Sequence, residues 1–87
     1  MFKKRRGIHI PYNKQGLIHF VCVNYNDMPD VVQSKILSLC MDTAGTDYMA
    51  LFDVVTKDTK TIQGIAMEYN ISEKRLYKLR KEFYEKW

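Results

Sequence analysis

Residues 62–79 read IQGIAMEYNISEKRLYKL, and the pattern in this stretch decides the fold. Ile65, Ala66 and Tyr69 recur at helical spacing before Asn70 breaks the run. Ile71 follows as a turn hydrophobe and Ser72 as a cap, while Leu76 and Leu79 give a second helix an inward stripe. Ala66 is small because the second helix crosses the first there, and a larger side chain would hold them apart. Asn70 stands where the chain must turn sharply at positive φ, a position usually given to Gly and next best tolerated by Asn. Ser72 can accept from the N–H groups of the following turn, and Ile71 and Leu76 hold the two positions of a hydrophobic staple.

Working outward, the second helix continues to the C-terminus. At 100° per residue, Leu76, Leu79, Phe83 and Trp87 fall in one narrow stripe, which is the packed face. Lys74, Lys78 and Lys81 cluster opposite it, joined by Glu85 and flanked by Tyr77 and Glu82. Solvated outer faces are commonly charged, so this face alone is a weak signal.

The small residue, turn hydrophobe, Ser and two Leu together resemble the helix-turn-helix of bacterial and phage transcription regulators, in particular the last DNA-binding region of sigma factors. Asn70 departs from the commoner Gly. The C-terminal residues 79–87, LRKEFYEKW, look like the endings of small phage late-gene activators of the RinA and ArpU type. The resemblance implies that the N-terminal half of the second helix enters the major groove of duplex DNA. That half carries Glu73, Lys74, Arg75, Tyr77 and Lys78. Lys or Arg can donate to guanine, Glu can accept from cytosine, and Tyr can bond phosphate or pack on a thymine methyl. Lys74 and Lys78 are expected near bases, and Arg75, Tyr77 and Lys81 near phosphates. At the start of the preceding helix, Thr59, Lys60, Thr61 and Gln63 sit where such motifs touch the DNA backbone, although Thr59 or Thr61 can equally be a plain cap.

Charge is unevenly distributed. The whole chain carries +4, with a pI near 9.1. Residues 1–6 hold +4, residues 7–56 hold −3, and residues 57–87 hold +3. The two basic segments suit a polyanionic partner. The arm Lys3, Lys4, Arg5 and Arg6 can add phosphate or minor-groove contacts, or remain a solvated tail.

The 87 residues make one domain, 1–87, and the 46% apolar and 13% aromatic content supports a packed globule. Ile8 to Tyr12 alternates in strand fashion, residues 13–16 have hairpin-loop chemistry, and residues 17–25 resume as a β-rich run, so a hairpin over 8–25 is expected. The alternative is that residues 17–25 begin a helix, because so short an apolar run fits either period. Asp27 or Asp30 can cap the next helix, with Pro29 in or before its first turn, and Gly45 ends it. Thr46 and Asp47 start another, with Tyr48, Leu51, Phe52 and Val55 inward. Residues 57–60 are a polar break before the motif at 59–87. The expected fold is mainly α, a helix-turn-helix bundle of about four helices over 28–87, with an N-terminal β-hairpin and a basic arm at 1–7.

Cys22 and Cys40 lie eighteen apart in apolar runs, with His9 and His19 on one side only. That spacing is poor for zinc and favours buried free thiols, with a disulfide still open. No metal or cofactor is expected. There is no Gly-rich phosphate loop and no nucleophile in a recognisable setting, so no enzyme is expected. Neither a signal peptide nor a membrane-length apolar run is apparent, which points to the cytoplasm.

The leading reading is a sequence-specific duplex-DNA-binding regulator, plausible in a phage or other mobile element. Alternatives are the DNA-recognition component of a packaging or recombination assembly, and a protein-binding adaptor or inhibitor, for RNA polymerase or another protein, that uses the motif as a scaffold. Two copies are expected to act together. The aromatics Phe83, Tyr84 and Trp87 are the favoured pairing surface, ahead of the hairpin edge, although a place in the core is the simpler account of Tyr84 and Trp87.

Overall fold

A computed structural model describes Ile8 and residues 10–87 of the chain. The basic arm at 1–7 and His9 lie outside the described residues. The described chain forms α1 (Tyr12–Val23), α2 (Asp30–Ala44), α3 (Tyr48–Thr56), α4 (Ile62–Tyr69) and α5 (Glu73–Lys86). Short 3₁₀ turns at Tyr25–Asp27 and Gly45–Asp47 link the first three helices.

The expected hairpin over 8–25 is absent: Tyr12–Val23 is helical, and no strand occurs among the described residues. A period of two and a period of 3.6 both bury Ile18 and Cys22, but they part company at Phe20. In the structure Ile18 and Cys22 are fully buried while Phe20 is 59% exposed, the outcome for a helix. Gln15, read as part of a loop, is buried and donates through Nε2 to the carbonyls of Ile8 (3.3 Å) and Ile10 (3.1 Å). This pins the entering segment against α1 and satisfies an amide that would otherwise be costly to bury. Pro11 sits at the N-cap with φ −57°, and its carbonyl accepts the first helical bond, from Gln15 N at 3.0 Å.

The four expected helices are all present. Pro29 precedes the first turn of α2, where Asp30 supplies a favourable negative charge. Gly45 ends α2 at φ +58°, a conformation that costs Gly nothing. α3 is central and packs on α1, α2, α4 and α5. Its Leu51 and Val55 join Ile18, Cys22, Ile36, Cys40, Leu79 and Phe83 in the larger core cluster. Ala50, Ile65, Ala66 and Leu76 form a second cluster between α3, α4 and α5, and Val54 packs against both.

The buried sector of α5 is wider than the stripe predicted from sequence. Phe83 and Tyr84 are 0% and 2% exposed, and both belong to the larger cluster. Burying each stabilises the fold by about 2 kcal/mol. Trp87 is half-buried, with its ring under Lys35 Nζ at 4.2 Å. The C-terminal aromatics expected to pair two copies are therefore taken up by the core of one.

Cys22 and Cys40 are buried free thiols. Burial pushes both up to about 12, with the neighbouring Cys40 adding to the effect at Cys22. Among the described residues no helix is long and apolar enough to cross a membrane.

Candidate nucleic-acid interface

The turn between α4 and α5 follows its sequence position by position. Asn70 ends α4 at φ 56°, ψ 48°, the left-handed region, and is the only such non-Gly residue among those described. The Asn70 and Ile71 backbone N–H groups both bond the Ala66 carbonyl, closing the last turn of α4. Ser72 caps α5, its Oγ accepting from Arg75 N at 3.1 Å. Ala66 is buried beside Leu76 and Ala50, and half-buried Ile71 closes over the same cluster. The two helices thus cross closely at a small residue, with their relative angle fixed by packing and by caps at both ends.

This arrangement leaves one face of α5 open. Lys74, Tyr77 and Lys78 are exposed, Lys81 is half-buried beside them, and Glu85 is exposed further along. Arg80 lies over the Tyr77 ring at 5.2 Å, which holds the ring against the helix by a cation–π contact. Arg75 is not presented in the same way. Its Nε donates to Asp47 Oδ2 at 3.0 Å, in a pair half exposed on the arginine side.

At the start of α4, Thr59 and Gln63 are exposed. Thr61 is the N-cap, with Oγ1 accepting from Gly64 N at 3.0 Å. A Cβ on Gly64 would come within 3.2 Å of that oxygen, so the cap and the glycine belong together. Lys60 is exposed but held by two carboxylates: Nζ donates to Asp53 Oδ2 at 3.1 Å and to Glu68 Oε1 at 3.2 Å. Tyr69 donates its hydroxyl to the same Asp53 oxygen at 2.9 Å. These bonds to Asp53, first of all, raise the pKa of Lys60 and of Tyr69. The network gives a buried carboxylate two donors and staples the 57–61 loop onto α3 and α4. The arm residues Lys3, Lys4, Arg5 and Arg6 lie outside the described residues.

Behind this face lies a crevice of about 200 Å³ bounded by α1, α3, the 57–61 loop, α4 and α5. His19, Lys57, Asp58, Lys60 and Arg80 supply its polar lining, and His19 Nε2 stands 3.9 Å from Asp58 Oδ1. Arg80 was not singled out from sequence. The available signal was its angle, only about 40° from Leu76 on the helix, which turns it toward the core edge instead of the outer face. Among the described residues no group of three or more His, Cys, Asp or Glu side chains is arranged to hold a metal ion.

Comparison of the chain with protein-family models, with curated proteins and with solved structures yields no match.

Proposed function

We propose that the chain is a sequence-specific duplex-DNA-binding protein, a cytoplasmic transcription regulator of a phage or other mobile element, with α4 and α5 as its helix-turn-helix. The observation that carries this reading is the pairing of a left-handed Asn70 and a Ser72 cap with an exposed, basic outer face on the helix that follows. In such a motif that face enters the major groove, with Lys74 and Lys78 reaching base edges and Tyr77 and Lys81 meeting the backbone. Thr59, Thr61 and Gln63 meet the flanking phosphates from the start of α4. The same surface serves equally for the recognition component of a packaging or recombination assembly.

A second reading is a protein-binding adaptor or inhibitor, with RNA polymerase among its partners. What favours it is that Arg75 and Lys60, two expected phosphate contacts, are already paired with Asp47, Asp53 and Glu68. Selection of binding sites from random duplexes separates the two. Enrichment of a defined motif, with affinity that drops steeply from about 50 to 200 mM salt, is expected for the DNA reader. No enrichment and no duplex binding at low salt would leave the adaptor.

A further inference from the structure

The crevice of about 200 Å³ between α1, α3, the 57–61 loop, α4 and α5 is separate from the outer face of α5. Buried Val55 and Ile65 line it, but the surface it offers is mainly polar. An apolar ligand would leave those polar groups without partners. At about 200 Å³ it is also smaller than the roughly 300–1,000 Å³ pockets that take drug-sized molecules. The occupant it fits is small and polar.

The charges around the crevice give the sign of that occupant. Lys57 and Lys60 reach it from the loop and Arg80 from α5. Lys60 is already balanced, with Asp53 and Glu68 holding its Nζ at 3.1 and 3.2 Å. Lys57 and Arg80 then face a single carboxylate among the described lining residues, Asp58. The Asp58 side chain is 70% exposed and stands 3.9 Å from His19 Nε2, too far for a hydrogen bond. It is free to turn to solvent. Bringing two cations to one crevice costs free energy, and a bound anion offsets that cost.

The two cations also differ in form. Arg80 is half-buried, and its Cζ stands 5.2 Å from the Tyr77 ring centroid. A guanidinium steadied against a ring presents its planar fork in one orientation, which suits paired phosphate oxygens. Lys57 is exposed, with Nζ 5.7 Å from the Phe52 ring centroid, and acts as a point charge. His19 brings a ring nitrogen from α1.

We propose that this crevice binds a phosphate group, with Arg80 and Lys57 as its charged ligands and His19 as a third donor. A small free phosphate and a phosphate of a nucleic-acid backbone share this chemistry. α4 and α5 both wall the crevice, through Ile62, Ile65 and Arg80. A bound phosphate therefore touches both helices of the proposed motif, and any effect on DNA rests on that reading.

The test is a titration of inorganic phosphate into the full chain at constant ionic strength, with chloride as control, followed by amide resonances. Saturable shifts confined to residues 57–60 and the surroundings of His19 and Arg80 are expected. Lys57→Gln removes a charge and Arg80→Lys removes the fork, and each should weaken binding about tenfold. Lys14→Gln, at an exposed lysine of α1 that does not line the crevice, should change nothing. The same spectra report folding, and exposed Lys57 keeps the test decisive if Arg80→Lys unfolds the chain. Shifts that never saturate, that spread over the exposed lysines, or that survive Lys57→Gln unchanged overturn the site. Duplex DNA is then added to the phosphate-saturated protein. Displacement of the phosphate marks a backbone seat, and simultaneous binding marks a site for a free phosphate. Duplex binding with no phosphate site removes the crevice proposal and leaves the DNA reading, and a phosphate site without duplex binding does the reverse.

Discussion

Arg75 Nε donates to Asp47 Oδ2 at 3.0 Å, tying the third residue of α5 to the turn before α3. An arginine expected at a phosphate is thus held by a carboxylate of its own chain, and DNA must replace that carboxylate to engage it. Exposed pairs of this kind contribute about 0–1 kcal/mol to stability, so the competition is one DNA can win. Asp47→Asn should free Arg75, tighten duplex binding several-fold at low salt and steepen the salt dependence by about one phosphate contact. Its cost in stability should stay within about 1 kcal/mol. Titrations at several salt concentrations check this, and an unchanged slope would show that Arg75 never reaches the backbone.

The turn is open to a purely thermodynamic test. At φ 56° a β-branched side chain meets the following carbonyl, whereas Gly does not. Asn70→Gly should be neutral or mildly stabilising, and Asn70→Val should cost about 1–2 kcal/mol. Urea unfolding of the two variants measures the difference, and equal midpoints would remove the steric argument.

The Asp53 network should show itself at alkaline pH. Hydrogen bonds to Asp53 raise Tyr69 above its ordinary 10.0 and Lys60 above its ordinary 10.5. For both groups the folded state holds the proton more tightly than the unfolded chain. The stability they contribute is therefore fully present below pH 10 and is lost as pH climbs through the raised values. The thiols of Cys22 and Cys40, pushed from 9.0 to about 12, act in the same direction. Tyr69→Phe isolates the network's share. It should destabilise by about 1 kcal/mol at neutral pH, and the gap from wild type should narrow above pH 10. Parallel unfolding curves for the two proteins from pH 8 to 11 would contradict the assignment.

These residues also mark where the sequence was legible and where it was not. The α4–α5 turn could be read because each position has a narrow steric solution: a small residue at the crossing, a left-handed one at the corner, a capping hydroxyl next. Residues 12–23 could not be decided locally. Asn13 to Gly16 suits a loop and tolerates a helix, and the two periodicities agree at Ile18 and Cys22. What settles the matter is the burial of Gln15 against the carbonyls of Ile8 and Ile10, a tertiary contact. The same limit applies to the site. Lys60 and Arg75 read as free cations, but their partners stand 7 and 28 residues away and are brought to them only by packing. Tyr84 reads from sequence either as a core aromatic, the simpler account, or as a partner surface, because four apolar residues define the centre of a helix face but not its width; the structure buries it.

The outer face of α5 yields the sharpest separation of roles. Lys74 and Lys78 are exposed on the N-terminal half, the part that the proposed DNA reading sets deepest in a major groove, whereas Lys81 is half-buried one turn further on. A base-reading lysine and a phosphate-binding one fail differently when removed. Lys74→Ala should cost about 1–3 kcal/mol on the selected site and relax preference at one base position. Its salt slope should change little. Lys81→Ala should weaken selected and unrelated duplexes alike and reduce the slope by about one. Neither change touches the buried clusters, so both variants should unfold with wild-type midpoints. The measurement is affinity for the selected site, a single-base variant and an unrelated duplex, each across a salt series. If Lys74→Ala weakened all three duplexes equally, its contact would be with the backbone, and the base-reading role would pass to Lys78.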